Sequence, residues 1–206
     1  MSVFITFEGG EGCGKSLQSK LLYEKILRNG IDALLTREPG GTSIGEDITR
    51  LLKWNDDAIS PLTELFLFNA SRSQLVNDVI NPALKEGKVV VCDRFADSTT
   101  VYQGYGRGLD LEMVKAVNNA ASGNLLPDLT ILLDMPPEKG LERKQAEGYD
   151  RFEKEDLVFH NKIRQGFLKL AAAEPGRWLV VDAAQDEESV ARAIWQRSCM
   201  VLPKEA

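Results

Sequence analysis

The sequence predicts an α/β fold in which one five-stranded parallel sheet carries helices on both faces. Three observations predict it. Five short apolar runs, Val3 to Phe7, Ile31 to Thr36, Lys88 to Cys92, Asp128 to Asp134 and Trp178 to Asp182, are separated by longer stretches with helical spacing. The run Lys88-Val89-Val90-Val91-Cys92 shows no polar–apolar alternation, as expected of a strand covered on both faces. The first run breaks into Glu8-Gly9-Gly10-Glu11-Gly12-Cys13-Gly14-Lys15-Ser16, which fits the pattern G-x-x-x-x-G-K-[ST] between a strand and a helix.

Taken in order, Leu17, Leu21, Leu22, Ile26 and Leu27 recur at helical spacing and predict a helix from Leu17 to Asn29. The second strand runs into the turn formers Arg37-Glu38-Pro39-Gly40-Gly41-Thr42. Ile44, Ile48, Leu51 and Leu52 mark a helix ending near Trp54, and Pro61 to Asp78 a longer one that Pro82 to Gly87 completes or follows. After the third strand and the pair Asp93-Arg94 comes a polar, glycine-rich stretch, Ser98 to Gly108. Helices are expected over Leu111 to Ala121, from Pro137 to Lys144, over Phe152 to Ala173 and over Glu187 to Met200, with a charged break from Gln145 to Arg151. No repeat, low-complexity segment or linker divides the 206 residues, so one domain over 1–206 is expected, with a short lid near 140–152.

Composition excludes several classes. Charged residues are 27%, hydrophobic residues 43% and the net charge is -6, which argues against non-specific nucleic-acid or membrane affinity. There is no apolar segment long enough for a bilayer, and Met1-Ser2-Val3-Phe4 carries no basic leader, so a cytoplasmic protein is expected. Cys13, Cys92 and Cys199 are odd in number and lack metal spacing.

The glycine-rich loop carries the chemistry. Its glycines let successive N–H groups turn inward onto phosphate oxygens. Lys15 supplies positive charge for the β- and γ-phosphates of a nucleotide, Ser16 a hydroxyl for Mg²⁺, and the helix that follows its positive end. Gly9, Gly10, Glu11, Gly12, Cys13, Gly14, Lys15, Ser16 and Leu17 are therefore the expected ATP contacts. A GTPase would need N-K-x-D, and Asn161-Lys162-Ile163-Arg164 lacks the acid. Asp93 and Arg94 end a buried strand, where an acid suits Mg²⁺ and an arginine a second phosphate. With Arg143, Lys144 and Arg151 in the break between late helices, this describes phosphoryl transfer to a phosphorylated acceptor beneath a closing lid.

These strings, together with Thr36-Arg37-Glu38-Pro39-Gly40-Gly41-Thr42, Leu67-Phe68-Asn69-Ala70-Ser71-Arg72, Asp93-Arg94-Phe95 and Ser98-Thr99-Thr100-Val101-Tyr102-Gln103-Gly104, make the chain resemble the bacterial thymidylate (dTMP) kinases. The resemblance runs from Val3 to the last helix. It implies the nucleoside monophosphate kinase architecture, Mg-ATP as phosphoryl donor, dTDP as product for DNA synthesis, and a homodimer. It also implies that Phe68 stacks on thymine, that Arg72 hydrogen-bonds the base, and that Arg94, helped by Arg37, holds the acceptor's phosphate. Tyr102 would crowd the 2′ position of the sugar, Glu11 would lie near the sugar, and Ser98, Thr99 and Gln103 would line the pocket. Relatives that carry Asn at the place of Thr99 use it for a pyrimidine contact.

Another branch of the family carries an arginine in the phosphate loop where this chain has Gly12, so the charge on the γ-phosphate must come from Arg151, with Arg143 or Lys144. The expected catalytic set is thus Lys15, Arg94, Arg151 and Glu11, with Ser16 and Asp93 on the metal and Arg143 on ATP. Without the resemblance, Phe68 could equally be core and Arg72 solvated. A kinase for another nucleotide or deoxynucleoside, or a nucleotide-dependent switch, are the competing readings. His160, Asp134, Trp178 and Trp195 are expected in structural roles.

Overall fold

The computed structural model describes residues 2–54, 57–144 and 150–203, and the side chain of Lys144 is outside that description. The expected strands form as β1 (Val3–Glu8), β2 (Ala33–Arg37), β3 (Val89–Asp93), β4 (Leu129–Asp134) and β5 (Trp178–Asp182). They pair in parallel in the order β2-β3-β1-β4-β5. Helices join them: α1 (Lys15–Arg28), α2 (Ser43–Trp54), α3 (Pro61–Leu75), α4 (Asn81–Lys85), α5 (Ala96–Thr99), α6 (Leu111–Ser122), α7 (Pro137–Lys144), α8 (Leu157–Ala173) and α9 (Glu187–Ser198).

Both faces of the sheet are covered, because successive residues of a strand point to opposite sides. Val3, Ile5 and Phe7 join Leu22, Ile26, Val190 and Ile194 in the core beneath α1 and α9. Phe4, between them, packs with Leu75, Ile80, Val90 and Phe95 on the other side. A further cluster, built from Val101, Tyr102, Phe159, Ile163, Phe167 and Trp178, joins α8 to the sheet.

Two segments differ from the sequence expectation. Val76–Ile80 is a wide π turn that links α3 to α4. The glycine-rich stretch is helical: after α5, Thr100–Gly106 forms another π turn, closed by Arg107 N–H donating to the Tyr102 carbonyl at 2.9 Å. Glycine and β-branched residues disfavour helix locally, but Val101, Tyr102, Gln103 and Gly104 are all buried, and packing decides. The late helix also starts later than its periodicity suggests, at Leu157, because Asp156 caps it.

Register positions the site. Phe7 lies beside Asp93 and Asp93 beside Arg37, so β1, β2 and β3 end level with one another. The segments that follow open at this carboxyl edge, where open α/β sheets bind ligands. Across the sheet, Asp134 at the end of β4 accepts two hydrogen bonds from Arg164 at 2.7 and 2.8 Å.

Asp156 accepts the Phe159 N–H at 2.7 Å and so fixes the start of α8. Asp156→Ala should cost about 1 kcal/mol and lower Tm by about 2–4 °C in a calorimetric melt of the free protein. An unchanged Tm would show that the cap does not hold α8.

Candidate active site

The loop from Gly9 to Gly14 turns tightly, with Gly9, Gly12 and Gly14 at φ 142°, 67° and 89°. It delivers the chain into α1 without a side-chain cap and with no acid in the first turn. Helices α3, α6, α8 and α9 each have a Ser or Asp cap. The first N–H groups of α1 are thus open to an anion, and the helix dipole favours one there. Lys15 is buried, and its Nζ donates to the Gly10 carbonyl at 2.6 Å.

Gly12 does more than turn. A Cβ there would fall 1.9 Å from the carbonyl oxygen of Gly140 in α7, and a Cβ on Gly140 would fall 2.2 Å from the Glu11 carbonyl. The loop and the root of the lid touch backbone to backbone.

Ser16 Oγ donates to Asp93 Oδ2 at 2.5 Å, while Asp93 Oδ1 is buried without a hydrogen-bond partner. An orphaned carboxylate oxygen beside a hydroxyl is a hard-oxygen pair that fits Mg²⁺. Among the described residues, no cluster of three or more His, Cys, Asp or Glu side chains forms any other metal site.

Arg94 follows Asp93 in the left-handed region, at φ 70°, which turns its side chain back over the loop. Its guanidinium donates to the Gly9 carbonyl and to Ser98 Oγ, each at 3.2 Å, and to Glu11 Oε1 at 2.8 Å. Tyr102 OH also donates to Glu11 Oε1, at 2.6 Å. Burial alone would raise the Glu11 carboxyl, but the charges of Arg94 and Lys15 outweigh it and hold the group down at about 2. Glu11 is therefore ionised at any working pH. Arg37 opens on the same cleft but is exposed and spends its guanidinium on Glu46, at 2.8 and 2.9 Å.

Glu8, the last residue of β1, supports the Arg94 turn from below. It accepts the Phe95 N–H at 2.8 Å and the Ser98 hydroxyl at 2.5 Å. Complete burial, and then the nearby charge of Asp97, push its carboxyl from the ordinary 4.5 up to about 8.

Next to the loop is a pocket of about 540 Å³ including its mouth. Phe68 is on its wall, 5.7 Å from Phe152 between ring centroids, with Tyr102 6.1 Å from Phe152. Thr99, Ser98, Gln103 and Arg94 also line it. Arg72 is not solvated but almost wholly buried at the pocket's base. Its five N–H groups are all engaged: Nε and one Nη2 donor on Glu38, the other Nη2 donor on Thr99 Oγ1 at 2.6 Å, and Nη1 on Asn69 and Asn118. A direct bond from Arg72 to a base would have to displace one of these. Thr99, which accepts from Arg72, keeps its own hydroxyl proton to donate into the pocket.

Arg151, expected at the transferring phosphoryl, does not line the loop cleft here. Its Nη2 lies 2.6 Å from Glu64 Oε2, off the line of a hydrogen bond, its Nε donates to the Leu52 carbonyl at 3.0 Å, and its guanidinium lies 4.6 Å from the Phe152 ring. Buried Glu64 and the end of α2 hold it away from the phosphate loop. Arg143 does line the loop cleft, donating to the Ala183 carbonyl at 3.5 Å, as does exposed Leu17. The expectation for Lys144, and the lid over 145–149, lie outside the described residues. His160 and Trp178 are buried as expected, though His160 Nε2 and Trp178 Nε1 have no partner.

Sequence reading placed Glu8 at a ligand-binding strand end but missed Glu38, Glu64, Asn118 and Phe152. Glu64 had a signal: Glu64, Phe68 and Arg72 share one helix face at four-residue steps. Asn118 had none, since it arrives from α6.

A phosphate-binding loop that shares Glu11 and Arg94 with an aromatic-walled pocket defines a kinase of small phosphorylated acceptors. The family model described as thymidylate kinase matches residues 7–194. A thymidylate kinase of Dehalococcoides mccartyi is 57% identical over 96% of both chains, and one of a Synechococcus species is 52% identical over 94% of this chain and 92% of its own. The crystal structure of thymidylate kinase from Ehrlichia chaffeensis superposes with a TM-score of 0.77 at 32% identity, covering 98% of this chain and 99% of that one. The chain belongs to the thymidylate kinase family.

Two predictions follow from the loop and its support. Folding favours the protonated form of Glu8, so its burial costs stability as pH rises from about 4.5 to about 8. Glu8→Gln keeps an acceptor for Phe95 and cannot ionise, so its Tm should gain on the wild type between pH 5 and pH 8.5. An equal difference at both pH values would refute this. Gly140→Ala, which forces the loop and α7 apart, should weaken ATP binding at least about tenfold and cost about 1–3 kcal/mol, read by calorimetric titration and melting.

Proposed function

We propose that the protein transfers the γ-phosphoryl group of ATP to the 5′-phosphate of dTMP, giving ADP and dTDP. The observation that carries this is the shared wall: Glu11, Glu38, Lys53 and Arg94 line both the loop cleft and the aromatic pocket. A phosphate held by Arg94 therefore lies beside a nucleotide held by Lys15, and one in-line displacement suffices. An acceptor oxygen attacks the γ-phosphorus, the bond to the β-phosphate oxygen breaks, and no enzyme-bound intermediate forms. Lys15 and the α1 amides bind the donor phosphates, and Arg94 binds the acceptor and offsets charge as the two anions approach. Ser16 and Asp93 would hold Mg²⁺, which would supply positive charge to offset that of the phosphates. Arg143, which lines the loop cleft, would meet the transferring group. In the acceptor site, Phe68 stacks on the base, the Arg72–Thr99 pair reads its polar edge, and the Tyr102–Glu11 pair closes on the sugar and favours deoxyribose.

We further infer a homodimer and a cytoplasmic setting. Supporting the first, Ile44, Leu51 and Trp54 of α2 and Leu62 and Phe66 of α3 expose apolar side chains on adjacent helices. Supporting the second, all three cysteines are free thiols and no described helix could cross a membrane. The net charge of -6 supports small nucleotides rather than nucleic acid as partners. A light-scattering mass of one subunit would remove the dimer.

ADP release from Mg-ATP should be measured with dTMP, dUMP, UMP, dCMP, AMP, GMP, thymidine or no acceptor. dTMP should be favoured strongly. Turnover on a different monophosphate would overturn the base reader, and equal turnover without acceptor would favour a nucleotide switch.

A further inference from the structure

We propose that Arg151 is a positioning residue of the acceptor pocket, anchored on Glu64, and not a contact of the transferring phosphoryl. This rests on the dTMP kinase reading above. Glu64 stands in the first turn of α3 and is fully buried. Such a carboxylate must be matched by positive or donor groups. It gathers them from two other segments: Gln103 Nε2 at 2.6 Å and Arg107 Nε at 3.2 Å on Oε1, and Arg151 Nη2 at 2.6 Å on Oε2.

What Arg151 anchors is a closed turn. Asp150 Oδ1 accepts the N–H groups of Phe152 and Glu153 at 2.9 and 3.1 Å, and Glu153 Oε2 accepts the Asp150 N–H at 3.0 Å. Lys53 pairs with Asp150 at 3.2 Å, and the Leu52 carbonyl takes Arg151 Nε. The turn is rigid in itself and fastened to α2 and α3 by these three contacts. It brings Asp150 and Phe152 to the pocket's lining, with Phe152 buried against Phe68 and Tyr102. Arg151 lines neither the pocket nor the loop cleft. It fixes the aromatic wall that the base must stack against, so its loss should be felt in acceptor binding.

The effect of losing Arg151 is separable from folding. Without Arg151, Glu64 still has Arg107 and Gln103, so Arg151→Ala leaves no carboxylate buried alone.

The test is steady-state kinetics on the full chain with dTMP and Mg-ATP varied separately, together with calorimetric dTMP binding. For Arg151→Ala, KM and Kd for dTMP should rise about tenfold or more, with kcat within about threefold and KM for ATP unchanged. Arg151→Lys, which can still reach Glu64, should recover part of the loss. Phe152→Ala should give the same split, and serves as a second reading should Arg151→Ala not fold. A fall in kcat of about a hundredfold with unchanged dTMP binding would overturn the proposal and return Arg151 to the transferring phosphoryl. A change in Tm with no change in dTMP KM would also overturn it, reducing Arg151 to a structural contact. Wild-type protein that does not phosphorylate dTMP would instead overturn the functional reading itself.

Discussion

A guanidinium cannot be buried alone, and the acceptor side of this molecule is arranged around that constraint. Arg72, Arg94 and Arg107 are each buried or nearly so, and each is met by a carboxylate from a different segment: Glu38, Glu11 and Glu64. Glu38 brings the turn after β2 onto α3. Glu11 brings the phosphate loop onto the end of β3. Glu64 brings α3 onto the second π turn and the 150–153 turn. The pocket is the space these three junctions enclose. Its polar walls are already bonded to one another, so they enter catalysis in fixed orientations rather than having to be collected by the substrate.

The donor side follows the opposite rule. There the α1 start has no side-chain cap, and the loop curls around its own Lys15. An anion completes that end of the helix. A protein of net negative charge can thus hold two polyanions, because one site uses amides and the other uses arginines whose partners are internal.

Much of this was legible in the sequence, for physical reasons. The inner strands β1, β3 and β4 were readable because burial on both faces leaves them almost continuously apolar. Asp93-Arg94 stood out because charge directly after such a run has to lie at the strand's open end. The helical course of residues 96–106 was not readable, since Gly104, Gly106 and the β-branched Thr99, Thr100 and Val101 disfavour helix by local propensity, while their buried packing favours it. Phe68 and Arg72 could be assigned to one face, but not the depth of Arg72, which depends on Glu38, Thr99 and Asn118 arriving from elsewhere. The place of Arg151 beside Glu64 was hidden for the same reason. A cation in a charged break looks free until the carboxylate that claims it is known.

The contact between Gly12 and Gly140 bears on how the family diversifies. The branch that carries an arginine in the phosphate loop places it at the position of Gly12, and here even a methyl group would collide with the backbone of α7. Charge from within the loop and close docking of the lid's root are therefore mutually exclusive in this geometry. Moving between the two branches cannot proceed by single exchanges at position 12. A side chain at position 12 requires room that only a shift of the backbone at Gly140 would give.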